Sequence, residues 1–181
     1  TLKTMKMETF ANDDQVRTDV NMMGGMVVMS TFTNPKTDEF IMYMDMMGNK
    51  MKVVPTAAEL TSFKSENDKK GSDFKIVEVP GDTKTILGFN CNRFNISNGD
   101  GMNFILYVTK DIKIKANNIQ GMEGVKFDGY PLEYSMEAMG AKMTFTAEKF
   151  EKTFDTAKMT PPTGTYKEVN FTDFKKQMPG M

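Results

Sequence analysis

Methionines alternate along one segment of the chain. The run EFIMYMDMM places Met42, Met44 and Met46 two residues apart, and Met51 follows the turn signal Gly48-Asn49. Residues two apart on a β-strand point to the same face of the sheet. Such a face can do one of two things. Its thioether sulfurs can bind Cu(I), or its flexible side chains can line an apolar site that adapts to ligands of different shape.

The rest of the composition disfavours the metal site. The chain has no histidine, and Cys91 is its only cysteine, so the usual additional ligands for a soft metal are missing. Phe40 and Val53 continue the same stripe as plain hydrophobic residues. We therefore expect an apolar binding face without metal or cofactor. Two alternatives stay open: an ordinary core that uses Met in place of Leu and Ile, and a Cu(I) site on Met42, Met44 and Met46.

Catalytic and nucleic-acid functions find little support. Without histidine, Ser-His-Asp and Cys-His enzymes are excluded, and we interpret Cys91 as a small buried hydrophobic residue. The segment 98–101 is a turn rather than a calcium loop, because it lacks the distal Glu of such loops. Lys and Arg number 23 and Asp and Glu 24, so there is no basic field to attract nucleic acid. We expect no enzyme and no nucleic-acid partner.

The elements that must position the methionines are β-hairpins. Turn signals separate runs that alternate with period two, which is typical of an antiparallel meander. They fall at Gly24-Gly25, 34–37, Gly48-Asn49, Gly81-Asp82, 98–101 and Gly140-Ala141. The length of 181 residues fits one domain over 1–181. The predicted fold is mainly β (α+β), a curved antiparallel meander around a short helix.

Hairpin register assigns side chains to faces. A Gly48-Asn49 turn sets Met46 opposite Met51 and pairs Asp45 with Lys52 on the other face. The apolar face then contains Phe40, Met42, Met44, Met46, Met51 and Val53. A Gly140-Ala141 turn likewise groups Leu132, Tyr134, Met136 and Ala138 with Met143, Phe145 and Ala147. A Gly24-Gly25 turn leaves apolar residues on both faces of its hairpin, which indicates either a sheet covered in part on its second side or a sheet with a long exposed apolar edge.

Two helices and one bulge complete the predictions. Thr56 and Glu59 form a capping box that predicts a helix over 57–66. Phe171 and Phe174, three residues apart, predict a second helix that ends at Pro179. The apolar phase shifts beyond Lys149, towards Phe150 and Phe154, and predicts a bulge that redirects the strand.

Several short motifs, taken in order, resemble an uncharacterised family of exported bacterial proteins, domain of unknown function 4412. The matching elements are Arg17 in the second strand, Gly88-Phe89-Asn90-Cys91, Gly129-Tyr130-Pro131-Leu132, and Pro162-Thr163-Gly164-Thr165-Tyr166, which has one extra residue in Thr165. Tyr107 stands where the family pattern has Trp. The resemblance extends over most of the chain.

That family is similar to the LolA and LolB lipoprotein carrier fold, a half barrel around a small helical lid with an apolar cavity between them. The resemblance implies a location in the periplasm or outer membrane of a Gram-negative bacterium. We therefore expect a monomeric, non-catalytic carrier for a hydrophobic small molecule or an acyl chain of a lipid or lipoprotein, with peripheral or lipid-anchored membrane association. A structural envelope lipoprotein with a Met-rich core is the alternative. The expected ligand-lining residues are Phe40, Met42, Met44, Met46, Met51, Met136, Met143 and Phe145.

Overall fold

A computed structural model describes residues 5–34, 36–37, 39–99, 101–114, 124–138 and 141–177. β-Strands make up about 48% of the structure, so the mainly β prediction is confirmed. The chain divides into two compact units, Thr1–Phe63 with Thr153–Met181 and Lys64–Lys152. The single domain over 1–181 stays a prediction. Within the described residues, neither helix combines the length and the apolar character needed to cross a membrane.

The described residues form eleven strands and two α-helices. In chain order these are β1 (Lys6–Ala11), β2 (Val16–Met22), β3 (Val27–Thr33), β4 (Phe40–Met46), β5 (Asn49–Val53), α1 (Ala57–Ser72), β6 (Lys75–Ile86), β7 (Phe89–Ser97), β8 (Asn103–Thr109), β9 (Tyr130–Ala138), β10 (Ala141–Thr146), β11 (Lys167–Val169) and α2 (Phe171–Gln177).

The sheet of the first unit has the order β1-β2-β3-β4-β5-β11. Its first five strands are consecutive antiparallel hairpins, and β11 adds to β5 in parallel. The second unit holds a sheet of order β10-β9-β8-β7-β6, in which every pair of strands is antiparallel. The sequence predicts one continuous meander, whereas the strands form two sheets. The division falls where α1 separates β5 from β6 in the chain and β11 takes the edge beside β5.

The β4–β5 turn differs from the prediction by one residue. Its central residues are Met47 and Gly48, with φ of 52° and 87°, so Met44 pairs with Met51 and Asp45 with Lys50 rather than Lys52. Asp45 Oδ1 accepts a hydrogen bond from Gly48 N at 2.8 Å and stabilises the observed turn. Because the register changes by two residues, every side chain keeps its predicted face. At β2–β3 the predicted pairing is confirmed, with Val20 opposite Met29.

Both helices are confirmed. The capping box at the start of α1 forms as predicted, with Glu59 N donating to Thr56 Oγ1 at 3.2 Å and Thr56 N donating to Glu59 Oε2 at 2.9 Å. The helix continues beyond the predicted end at 66, to Ser72. The C-terminal helix α2 begins at Phe171 as the aromatic spacing indicates, and its predicted stop, Pro179, lies outside the described residues.

Two predictions in the second unit are wrong. Gly81-Asp82 does not reverse the chain. It lies in a bulge inside β6, between Glu78 and Thr83, and the reversal follows at Leu87-Gly88. The strand β10 ends at Thr146 instead of bulging beyond Lys149. The shift of the apolar pattern towards Phe150 and Phe154 has another cause. The Phe150 ring packs on Phe89 at 4.9 Å, and in the first unit the Phe154 ring packs on Phe10 at 5.5 Å.

Candidate functional site

Alternate residues of β3, β4 and β5 form one apolar surface of the first sheet, which we call the methionine face. It consists of Met29, Phe40, Met42, Met44, Met46, Met51 and Val53. The side chains at its centre are buried, with Met44 1% exposed and Met42 3%. Phe40 and Met46 are partly buried and pack against the same cluster. The predicted grouping of these methionines on one face is therefore confirmed.

The methionine face is covered by α2 and by Phe63 of α1, residues of its own unit. Phe171 and Phe174 of α2 belong to the same buried cluster, and Phe174 is 2% exposed. The Phe171 ring meets Phe63 of α1 at 5.3 Å and Phe40 of β4 at 6.4 Å, both edge to face. Edge-to-face contacts add specific attraction to the burial of apolar area. The three-residue aromatic spacing in the sequence indicates a helix, but it does not say which surface that helix covers.

One carboxylate joins the two helices at their N-termini. Glu59 Oε2 accepts hydrogen bonds from Thr56 N and Oγ1, and Oε1 accepts them from Thr172 N at 3.2 Å and Oγ1 at 2.7 Å. The amide of Thr172 belongs to the first turn of α2, where it has no partner within the helix. These hydrogen bonds, led by that from the Thr56 backbone, lower the pKa of Glu59 to about 2. Glu59 thus caps α1 and α2 together.

The depressed pKa of Glu59 predicts a defined acid sensitivity. Its ordinary value is 4.5 and its value in the fold is about 2, so the carboxylate stabilises the fold fully above pH 4.5 and loses this effect as the pH falls towards 2. We expect Glu59→Gln to lower the melting temperature at pH 7 and to approach the wild type near pH 2. Melting curves by circular dichroism across this range measure the difference.

Glu168→Gln is the control for this experiment, because Glu168 forms an exposed surface pair with Lys52. We expect its melting temperature to stay near that of the wild type at every pH. If Glu59→Gln lowers the melting temperature by the same amount at pH 7 and at pH 2, the charge of Glu59 has no role in capping.

The three other predicted lining residues lie in the second unit. Met136 pairs with Met143 across β9 and β10, and the Phe145 ring stacks on Tyr134 at 4.7 Å. All three share one face of that hairpin, as predicted. Burial raises the pKa of Tyr134 to about 12, with a smaller contribution from the nearby Tyr130. The structure therefore groups five of the eight residues in the first unit and three in the second, and their union in one cavity stays a prediction.

The opposite face of the first sheet is also covered, which is one of the two arrangements that the pattern of the first hairpin indicates. Arg17 Nη1 donates to the carbonyl oxygens of Lys158 at 2.6 Å and of Thr160 at 2.9 Å. Further along, the Tyr166 ring packs edge to face on Tyr43 at 5.2 Å. Arg17, one of the residues that carry the family resemblance, thus fastens the segment 153–166 across this face.

A polar network in the second unit has no counterpart among the sequence predictions. Lys84 Nζ donates to both oxygens of Glu133 at 2.8 Å, and Thr146 Oγ1 donates to the same carboxylate at 2.7 Å. Burial by itself would raise the pKa of Glu133, but the hydrogen bonds from Lys84 and Thr146 outweigh it and the pKa is lowered. The predicted Gly140-Ala141 turn places Glu133 and Thr146 on the same face but sets Glu133 opposite Glu148, whereas the structure pairs Glu133 with Thr146. Lys84 lies 49 positions away from Glu133 in the chain and is brought in by β6. These contacts hold the sheet together.

The single cysteine of the chain, Cys91, lies inside the second unit. Cys91 is 0% exposed and packs with Ile86, Ile112 and Leu132, so its interpretation as a buried hydrophobic residue is confirmed. Burial raises the pKa of its thiol, which disfavours the reactive thiolate.

Across the described ranges, no group of three His, Cys, Asp or Glu residues is placed to hold a metal ion. The thioether Cu(I) site on Met42, Met44 and Met46 stays an untested alternative.

Comparison with known proteins defines the family of the chain. No curated protein and no solved structure matches it. One family model, described as a domain of unknown function (DUF4412), matches residues 2–142. This range includes Arg17, Cys91 and the entry to β9 at Gly129, residues on which the sequence resemblance rests. Since the match extends over more than half of its length, the chain belongs to the DUF4412 family.

Proposed function

We propose that this protein is a non-catalytic carrier that binds a hydrophobic chain, acyl or lipid-like, on the methionine face. In the structure α2 lies on that face, and in the proposed complex the ligand takes the place of its two Phe side chains. The proposal includes a LolA-like half-barrel arrangement and a location in the periplasm or outer membrane of a Gram-negative bacterium. The arrangement and the location follow from the resemblance of the family to lipoprotein carriers.

One observation carries the proposal. The buried centre of the methionine face lies under a helix of only seven residues, Phe171–Gln177. A helix of this length is not stable by itself in water, so α2 depends on its contacts with the face. Its N-terminus is held by Thr172 through hydrogen bonds to Glu59 that water can reach. Such a cover can leave without unfolding the strands beneath it.

Methionine side chains can pack equally well against the Phe rings of α2 and against the alkyl chain of a ligand. Removing apolar surface from water contributes about 25 cal/mol per Å² whether the covering group is a Phe ring or an alkyl chain. Unbranched thioether side chains change rotamer with little strain, and they can repack around chains of different length. A fixed core would favour residues with better-defined rotamers. Met42, Met44 and Met51 occupy the centre of this face.

The burial of the same residues favours a second candidate, a structural protein whose methionine face is simply core. Met44 and Phe174 are exposed by only 1% and 2%, as in any well-packed interior. In that case α2 is a permanent part of the fold. The two candidates differ in one respect: only the carrier gains ligand affinity when α2 is loosened.

Ligand binding by a loosened variant tests the proposal. Thr172→Ala removes the hydroxyl that donates to Glu59 Oε1 and leaves the apolar cluster intact. If α2 competes with the ligand, the apparent affinity rises in proportion to the undocked fraction. We expect dansyl-labelled undecanoic acid to bind Thr172→Ala more tightly than the wild type. Solvent extraction and mass spectrometry of protein exported to the periplasm should also recover a lipid.

Lys176→Ala is the matched control, since this side chain of α2 is 72% exposed, and it should bind the probe like the wild type. If neither the wild type nor Thr172→Ala binds the probe, and no lipid is extracted, the carrier proposal is wrong. The chain is then a structural protein whose methionine face is core.

A further inference from the structure

Three methionines are exposed together at one end of the first sheet. Met23 is 66% exposed, Met26 47% and Met47 73%. They lie in the β2–β3 and β4–β5 turns, which are neighbours because β3 pairs with β4 and Val27 faces Met46. Met47 N donates to the carbonyl oxygen of Met26 at 2.8 Å. We call Met23, Met26 and Met47 the methionine tip.

The backbone at the tip makes these residues an unfavourable choice for stability. Met23 and Met47 have φ of 53° and 52°, in the left-handed region, and each precedes a glycine. Asn or Asp is the usual residue at this position of a hairpin turn, because its side chain tolerates that conformation. An exposed Met brings no packing that offsets the strain. Leu87 has a similar φ and is also exposed, so strain alone assigns no function. At the tip, two strained turns are neighbours and expose three Met side chains together.

We infer that the methionine tip inserts into the interfacial region of a lipid bilayer. This surface lies beyond the strand ends of the methionine face, and the inference holds whether or not that face carries a ligand. It adds to the proposed carrier a defined point of contact with the membrane.

The tip carries no charge, and two backbone amides of its β4–β5 turn are paired, which suits an apolar environment. The segments 22–29 and 46–49 contain no charged residue. The amide of Met47 is bonded to Met26 O, and the amide of Gly48 to Asp45 Oδ1 at 2.8 Å. A backbone group that already has a partner loses little when water is removed, whereas an unpaired one is costly to bury.

The size of the tip favours a membrane over a protein partner. Three partly exposed Met side chains offer at most a few hundred Å² of apolar surface. A standard protein interface buries roughly 800 Å² on each partner, so this patch by itself is too small to hold a second protein. Insertion of a few apolar side chains at the headgroup boundary needs no larger surface.

The charges that flank the β4–β5 turn indicate which lipids it accepts. Asp45 and Lys50 face each other across the hairpin, with Lys50 Nζ 3.9 Å from Asp45 Oδ2. Because they compensate each other, this turn carries no net charge towards the membrane. We therefore expect apolar insertion that depends little on anionic lipid.

Vesicle flotation with a double variant tests the inference. We expect the wild-type chain to float with vesicles of phosphatidylcholine, and equally with vesicles of phosphatidylcholine and phosphatidylglycerol in equal parts. Met23→Asn/Met47→Asn removes two apolar side chains and installs the residue that these turns prefer. Its melting temperature should equal or exceed that of the wild type, and its partitioning should fall by about tenfold or more.

Leu87→Asn is the matched control. Leu87 lies in the β6–β7 turn of the second unit with φ of 51°, is 42% exposed and also precedes a glycine. It should float like the wild type. The inference is overturned if the wild type stays at the bottom with both vesicles, if the double variant floats equally well, or if Leu87→Asn loses as much binding. Concentration-dependent dimerisation in ultracentrifugation that the double variant abolishes, without flotation, would also overturn it and assign the tip to a second copy of the chain.

Discussion

Met44→Asp is expected to leave the chain unfolded at neutral pH. Met44 is 1% exposed and lies at the centre of the methionine face, with Met42 and Met51 beside it and Phe174 in the same cluster. Loss of the Met side chain costs about 2–5 kcal/mol, and an unpaired buried carboxylate costs several kcal/mol more. The total is comparable with the roughly 5–15 kcal/mol that stabilises a typical domain.

Circular dichroism and urea denaturation of Met44→Asp measure this effect, and two variants of the same hairpin serve as controls. Met44→Leu keeps the apolar volume and should cost less than about 1.5 kcal/mol. Met47→Asp places the same carboxylate three residues further on, where the side chain is 73% exposed and φ is 52°, and should leave stability unchanged or slightly higher, because Asp tolerates this backbone conformation. A cooperatively folded Met44→Asp within about 1 kcal/mol of the wild type would show that water reaches the methionine face.

Phe174→Ala is expected to have the second largest effect. Phe174 is among the largest fully buried side chains of the chain, and truncation of such a residue costs about 3–5 kcal/mol through lost burial and the cavity that remains. Urea denaturation gives the loss of stability. Hydrogen exchange of residues 171–177 shows whether α2 opens separately from the strands.

The same variant separates the two candidate functions. If α2 only completes a core, Phe174→Ala lowers stability and creates no binding of the dansyl-labelled fatty acid. If α2 occupies a ligand site, the undocked fraction increases and the probe binds more tightly than to the wild type. Lys176→Ala, exposed on the same helix, should leave both quantities unchanged. Equal probe affinity in the wild type and in Phe174→Ala, with the expected loss of stability, would count against the carrier.

Local patterns determined much of the fold from the sequence. The alternation around Met44 fixes its face whichever turn residues are used, because a change of the loop by one residue moves the register by two and preserves the parity. The capping box of Thr56 and Glu59 and the spacing of Phe171 and Phe174 specify both helix starts, since each rests on residues three positions apart. The sequence predicts that Cys91 is a buried hydrophobic residue, because free Cys is among the most buried residue types and the chain has no histidine to activate its thiol.

The same parity explains why the turn itself was not determined. Gly48-Asn49 and Met47-Gly48 give identical faces, so the side-chain pattern cannot distinguish them. The choice depends on the backbone, where Gly48 takes a positive φ and Asp45 accepts its amide hydrogen bond. The bulge at Gly81-Asp82 is similar, because a glycine signal marks a special backbone conformation without saying whether the chain reverses there.

Contacts between distant parts of the chain were decided only by the tertiary structure. The sequence provides Met44 and Phe174 as apolar residues, but 130 positions separate them, and no local pattern says that α2 covers the methionine face. The shared capping of two helices by Glu59 and the fastening of segment 153–166 by Arg17 likewise join residues more than a hundred positions apart. Hydrophobic burial is not directional, so many pairings satisfy the same pattern of apolar residues. Only the packing of the complete chain selects the one in which α2 lies on the methionines.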